Sequence, residues 1–131
     1  MRPSTILSVV VSAALVLGTF LLSGGRRHAT DTLALPADNV QIKQGTQVVE
    51  IAASGGYHPA RSVAKSRVRT VLRFATRGAV DCASFIRIPA LNLTQTLQQT
   101  GTTDVEVGLQ PAGTLHGMCT MGMYHFQVEF K

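Results

Sequence analysis

The chain has 131 residues, a formal net charge of +5, two cysteines and no tryptophan. Beyond an apolar N-terminal segment, that length leaves room for one domain with one modest core and excludes a second. The positive charge is spread as single arginines, with Arg67, Arg69 and Arg73 at alternating positions and few aromatics between them; this reads as a solvated strand face and argues against the dense basic patch of a nucleic-acid-binding protein.

Ile6 to Leu22 carries no charge. It sits at the lower limit for a membrane-spanning helix and above the usual length of a signal-peptide core. Ser23, Gly24 and Gly25 follow without an A-x-A cleavage pattern, and Arg26 and Arg27 come directly after. Residues 1–25 are therefore expected to form an uncleaved single-pass transmembrane helix, with a signal peptide as the alternative. Arg2 and the α-amino group before the run stand against Arg26, Arg27 and His28 after it. This tips the domain weakly toward the cytoplasmic face of the cell membrane. A cleaved signal peptide would place it outside, where two cysteines form a disulfide.

Residues 26–45 show no sustained apolar period and include Pro36, Asp38, Asn39 and Gly45. They read as a flexible tether, with Val40 to Lys43 a candidate short strand. Residues 46–131 read as the folded domain. Gln47 to Ala53 is rich in β-branched residues and stops at Ser54-Gly55-Gly56, and Tyr57-His58-Pro59 is a turn with an aromatic anchor. From Arg67 to Phe74, residues Val68, Thr70, Leu72 and Phe74 fall on one side of a half-buried strand. Arg77 to Asp81 is a loop leading into Cys82, and Phe85 to Ile88 is a strand ended by Pro89. Leu91, Leu93 and Leu97 suggest a further extended piece. Val105, Val107 and Leu109 point inward from Asp104–Leu109, and Tyr124, Phe126, Val128 and Phe130 do so from the last strand. About seven short strands with no amphipathic helix among them predict an all-β fold, a β-sandwich or Greek-key barrel.

Cys119-Thr120-Met121-Gly122-Met123 places one thiolate and two thioethers at alternate positions. On an extended backbone such residues point the same way, with Cα atoms about 6.6 Å apart. Soft sulfur donors select monovalent copper over hard cations, because a polarizable ion gains most from polarizable ligands. Cys82 joins them only if the fold brings it back. Register constrains where they sit: the last strand's core set is even-numbered, while Cys119, Met121 and Met123 are odd-numbered. The sulfurs are therefore expected on the loop entering that strand, near the surface, with Gly122 as the bend.

A cysteine-containing loop before the last strand, opposite a ligand on an earlier loop, resembles the cupredoxin architecture. Asp81-Cys82-Ala83-Ser84-Phe85 carries a cysteine where blue-copper members place their first histidine. Cys119-Thr120-Met121-Gly122-Met123 resembles the Cys-x-Met-x-Met loop of membrane-anchored copper(I) chaperones associated with copper-exporting ATPases. Gly55 to Pro59, Val68 to Phe74 and Ile88 to Leu91 are similar to framework segments of the same small domain. Departures are Ser66, where the family commonly turns on glycine, and His116-Gly117 before the cysteine. The resemblance implies a cupredoxin-like Greek-key sandwich in which Cys82 and Cys119 form the core of a copper(I) site. Met121 and Met123 complete it or hold a second ion, giving one or two copper ions. It also implies a copper chaperone or buffer in copper homeostasis, with a copper-exporting P-type ATPase as partner.

Other readings stand beside this one. Cys82 and Cys119 form a structural disulfide in a metal-free domain, or the protein is an electron-transfer cupredoxin. Met121 and Met123 serve as core packing. His116 and His125 flank the cluster as alternative ligands, although the spacing from Cys119 to His125 exceeds that of a Cys-x-x-His blue-copper loop. No Ser/His/Asp arrangement, phosphate-cradling glycine loop or carboxylate pair with a cleft is apparent, so an enzyme is not expected.

Overall fold

The structure is a computed structural model that describes residues 38–131. The expected anchor over residues 1–25, including Ile6 to Leu22, and the tether up to residue 37 lie outside the described residues. The described strands are β1 (Val40–Lys43), β2 (Thr46–Ala53), β3 (Tyr57–His58), β4 (Arg61–Ala64), β5 (Arg69–Thr76), β6 (Phe85–Ile88), β7 (Leu93–Thr96), β8 (Gly101–Leu109), β9 (Gly113–Cys119) and β10 (His125–Phe130). Two short 3-10 turns, Cys82–Ser84 and Pro89–Leu91, precede β6 and β7.

One sheet runs β1-β2-β5-β8 with β3 added to β2, and the other runs β4-β10-β9-β6-β7. Each is mixed: β2 pairs with β5 and β4 with β10 in parallel, and the remaining pairs are antiparallel. Ile51, Leu72 and Phe74 from the first sheet join Ile86, Cys119 and Val128 from the second in one buried cluster. This is a sandwich whose two inner faces supply a single core.

More strands form than the seven expected, because sequence alternation misses short or interrupted pieces. β3 is two residues long, too short for any period. β9 was not expected, since its inward set, Leu115, Gly117 and Cys119, has a residue with no side chain at its centre. β1 forms within the expected tether, pairing Val40 with Val49 and Lys43 with Thr46.

Three expectations about strand bounds and faces need correction. Arg67 lies in the turn before β5 at φ +58, a left-handed position, so β5 starts at Arg69, two residues later than expected, and Val68 precedes it half-buried. Tyr124 precedes β10 and is half-buried. Leu109 is 68% exposed. A bulge explains Leu109: Thr70 faces Gly108 but Val71 faces Glu106, so Val107 is the extra residue. Inserting one residue reverses the in–out phase, which leaves Val105 and Val107 buried and turns Leu109 outward beside exposed Arg69.

Candidate functional site

Three connections meet at one end of the sandwich: Ser54–Gly56 after β2, residues 77–84 before β6, and residues 120–124 between β9 and β10. Polar contacts join them. The Gly55 amide donates to Asp81 Oδ2 at 2.7 Å, and the Thr120 amide donates to the Phe85 carbonyl at 2.9 Å.

Cys82 opens the first 3-10 turn, and Asp81 caps it. The Asp81 carboxylate accepts from the Ala83 amide at 3.1 Å through Oδ1 while its other oxygen holds Gly55. An Asp before the first residue of a helical turn satisfies an amide that lacks a partner within the turn. That is a local signal in the sequence which the reading of residues 77–81 as a plain loop passed over. Beneath the turn, buried Tyr57 donates from its hydroxyl to the Ala83 carbonyl at 3.3 Å. Its ring meets Phe74 and Phe126 edge-on, with centroids 6.1 and 5.0 Å away. Burial, with Asp81 nearby as the lesser cause, pushes the Tyr57 phenol far above its ordinary value. It is a fixed neutral donor, and it anchors the floor under Cys82.

Cys119 is the last residue of β9 and pairs with Ile86 on β6. It is fully buried, which corrects the expectation that all three sulfurs of the 119–123 stretch lie on the loop near the surface. After it the chain turns back, with Gly122 at φ +73 and its amide donating to the Cys119 carbonyl at 2.8 Å. Gly122 is the bend the sequence suggested; a side chain there would be strained. The turn aims two more amides at the sulfur: Met123 N lies 3.3 Å and Tyr124 N 3.5 Å from Cys119 Sγ. Sequence reasoning did not anticipate these donors, because backbone groups leave no compositional trace.

The fold brings Cys82 and Cys119 together from 37 positions apart, with Cα atoms 5.7 Å from one another, and the two are joined as a disulfide. Met121 and Met123 project from the adjoining turn, 76% and 63% exposed. Those exposures rule out the core-packing alternative for both. His116 and His125 are exposed residues of β9 and β10; in β9, His116 alternates with inward Leu115 and Gly117, placing it on the face opposite Cys119. Among the described residues, no group of three or more His, Cys, Asp or Glu side chains is gathered at one point.

No protein-family model and no curated protein matches the chain. Among solved structures, it is similar to a copper binding protein determined in solution in its apo form, with 26% identity and a TM-score of 0.65 over 70% of this chain and 94% of that one. It is also similar to the metal binding domain of CopA, the Cu(I)-exporting P-type ATPase of Streptococcus pneumoniae D39, solved with Cu(I), at 18% identity and a TM-score of 0.63 over 70% of this chain and 92% of that one. A chain of a heme-copper terminal oxidase dimer matches at 11% identity and a TM-score of 0.54, covering 98% of each. The last two likenesses concern the fold alone. Together the three place this domain in a β architecture found in copper proteins.

Proposed function

We propose that this protein binds copper(I) at the Cys82–Cys119 end of its sandwich and serves as a copper chaperone or buffer, tethered to the cell membrane by the apolar run at residues 6–22. The observation that carries the reading is the convergence of both cysteines under a turn whose exposed apolar side chains are the two methionines. The similarity to a copper binding protein at 26% identity supports it.

In the reduced protein, Cys82 and Cys119 supply two thiolates to one ion. The amides of Met123 and Tyr124 stabilise charge on the buried sulfur. Met121 and Met123 add neutral thioethers at the solvent edge, where copper enters and leaves. Neutral donors hold a cation less firmly than thiolates, so a carrier gains an exchange position without losing its anchor. Copper is cargo here, and no catalytic step is proposed. A copper-exporting P-type ATPase is the proposed recipient, and the cytoplasmic face of the membrane the proposed location.

The test is an anaerobic copper(I) titration of the reduced full-length protein in detergent against a competing chelator. One or two tightly held equivalents, lost in Cys82→Ser and in Cys119→Ser, are expected. Unchanged binding in both variants would overturn the assignment. The disulfide in this structure specifically favours one other reading, a metal-free domain stapled by Cys82 and Cys119. That reading predicts no copper uptake after reduction.

A further inference from the structure

We infer that the Cys82–Cys119 disulfide is the closed state of the copper site and the substrate of a protein dithiol, which opens it by attacking Cys82. This rests on the copper(I) reading above and adds a redox partner to it. A sulfur bound to sulfur has no thiolate to offer a metal, so in the joined form both anchors are withheld.

The two ends of the bond are not equivalent. Cys119 is fully buried at the end of β9, whereas Cys82 is partly exposed at the start of its turn. Only Cys82 has solvent access, and so only Cys82 admits an attacking sulfur. The leaving sulfur is then Cys119, the one facing the Met123 and Tyr124 amides at 3.3 and 3.5 Å. Those donors lie where negative charge appears as the bond breaks.

The reaction is a two-electron exchange. A donor thiolate bonds to Cys82 Sγ, and the Cys82–Cys119 bond breaks with its electron pair going to Cys119. The donor's second thiolate then attacks its own sulfur in the mixed disulfide, expelling Cys82 as a thiolate. The donor ends as a disulfide, and its two protons pass to the released thiolates or to water. Copper(I) takes the place of those protons when it binds.

The surface around Cys82 suits a protein donor. Val80 is 81% exposed and Phe85 46% exposed, flanking Cys82 in the chain, and the Thr120–Phe85 backbone contact brings the methionine turn beside them. With Met121 and Met123 on that turn, four exposed apolar side chains stand at the same end of the sandwich as the partly exposed Cys82, an apolar rim for a docking partner. A partner that presents a thiol from an apolar surface buries this rim on docking; a small charged thiol such as glutathione does not.

The experiment uses oxidised full-length protein in detergent, with reduced thioredoxin as the probe dithiol and glutathione at equal thiol concentration as control. Thioredoxin is expected to release two thiols much faster than glutathione. A thioredoxin whose resolving cysteine is replaced by Ser should be trapped on Cys82, as read by peptide mapping. Val80→Ser with Phe85→Ser should slow thioredoxin by about tenfold, the loss expected when two exposed apolar contacts vanish, and leave reduction by a small phosphine unchanged. Trapping on Cys119, or thioredoxin no faster than glutathione, would overturn the inference. The phosphine arm separates the two proposals: phosphine-reduced protein that binds copper(I) but was inert to thioredoxin sinks only the redox partner. Phosphine-reduced protein that binds no copper sinks the copper reading.

Discussion

Gly117 on β9 lies directly across from Phe126 on β10, and the space where a Gly117 side chain would stand is filled by the Phe126 ring. A Cβ at this position would overlap three ring atoms. The ring in turn packs edge-on against Tyr57, which holds the carbonyl of Ala83 beside Cys82. Gly117→Ala should therefore force Phe126 out of its place and destabilise the domain by about 1–3 kcal/mol, the usual range for overpacking a filled core. Urea unfolding measures this, and a change within error would show that the ring has room to move.

Asp81 holds the Cys82 turn to the Ser54–Gly56 turn through both carboxylate oxygens. Asp81→Ala removes both contacts and should cost about 1 kcal/mol of stability, as for loss of a helix cap. It should also weaken copper(I) binding while leaving stoichiometry unchanged, because the thiols remain and only their placement loosens. Competition titration beside a thermal melt distinguishes this from general unfolding.

Met121→Leu with Met123→Leu keeps the apolar bulk of the exposed turn and removes the thioethers. Tight binding by the cysteines should persist, while stoichiometry or the rate of transfer to an acceptor chelator falls. Stopped-flow transfer kinetics check the rate, and unchanged kinetics with unchanged stoichiometry would remove the methionines from the site.

The disulfide closes a loop between residues 37 positions apart. Its reduction should lower stability by about 3–4 kcal/mol by releasing the unfolded chain from that constraint. Copper(I) added to the reduced protein should raise Tm again, since a ligand that prefers the folded state stabilises it by mass action. Calorimetry of oxidised, reduced and copper-loaded samples gives all three values.

On the outer face of the first sheet, Arg73 donates to both oxygens of Asp104 at 2.7 and 2.8 Å. This pair holds the Asp104 carboxyl below its ordinary range. A carboxyl depressed in the folded state stabilises above its unfolded pKa, and the contribution disappears as pH falls through the folded value. The two side chains keep 34% and 48% of their surface exposed, enough for solvent to screen the pair, so the effect should stay below about 1 kcal/mol. Asp104→Asn should narrow the gap in Tm between pH 7 and pH 3 without altering copper binding.

Sequence alone determined the β class, most strand positions and the soft-donor chemistry of the 119–123 stretch, because side-chain alternation and ligand softness are properties of residues in order. Thr70, Leu72 and Phe74 are buried and Arg69 exposed as the period predicts. Gly122 is the bend because only glycine accepts that backbone without strain. What tertiary structure decided depends on residues far apart in the chain. It joined Cys82 to Cys119, turned Leu109 outward through a bulge visible only in the pairing of β5 with β8, and made a strand of Gly113–Cys119 by setting an empty position against Phe126. It also buried one cysteine beneath two backbone amides while leaving its partner at the surface. No local pattern encodes that asymmetry, since it arises where three separate turns meet.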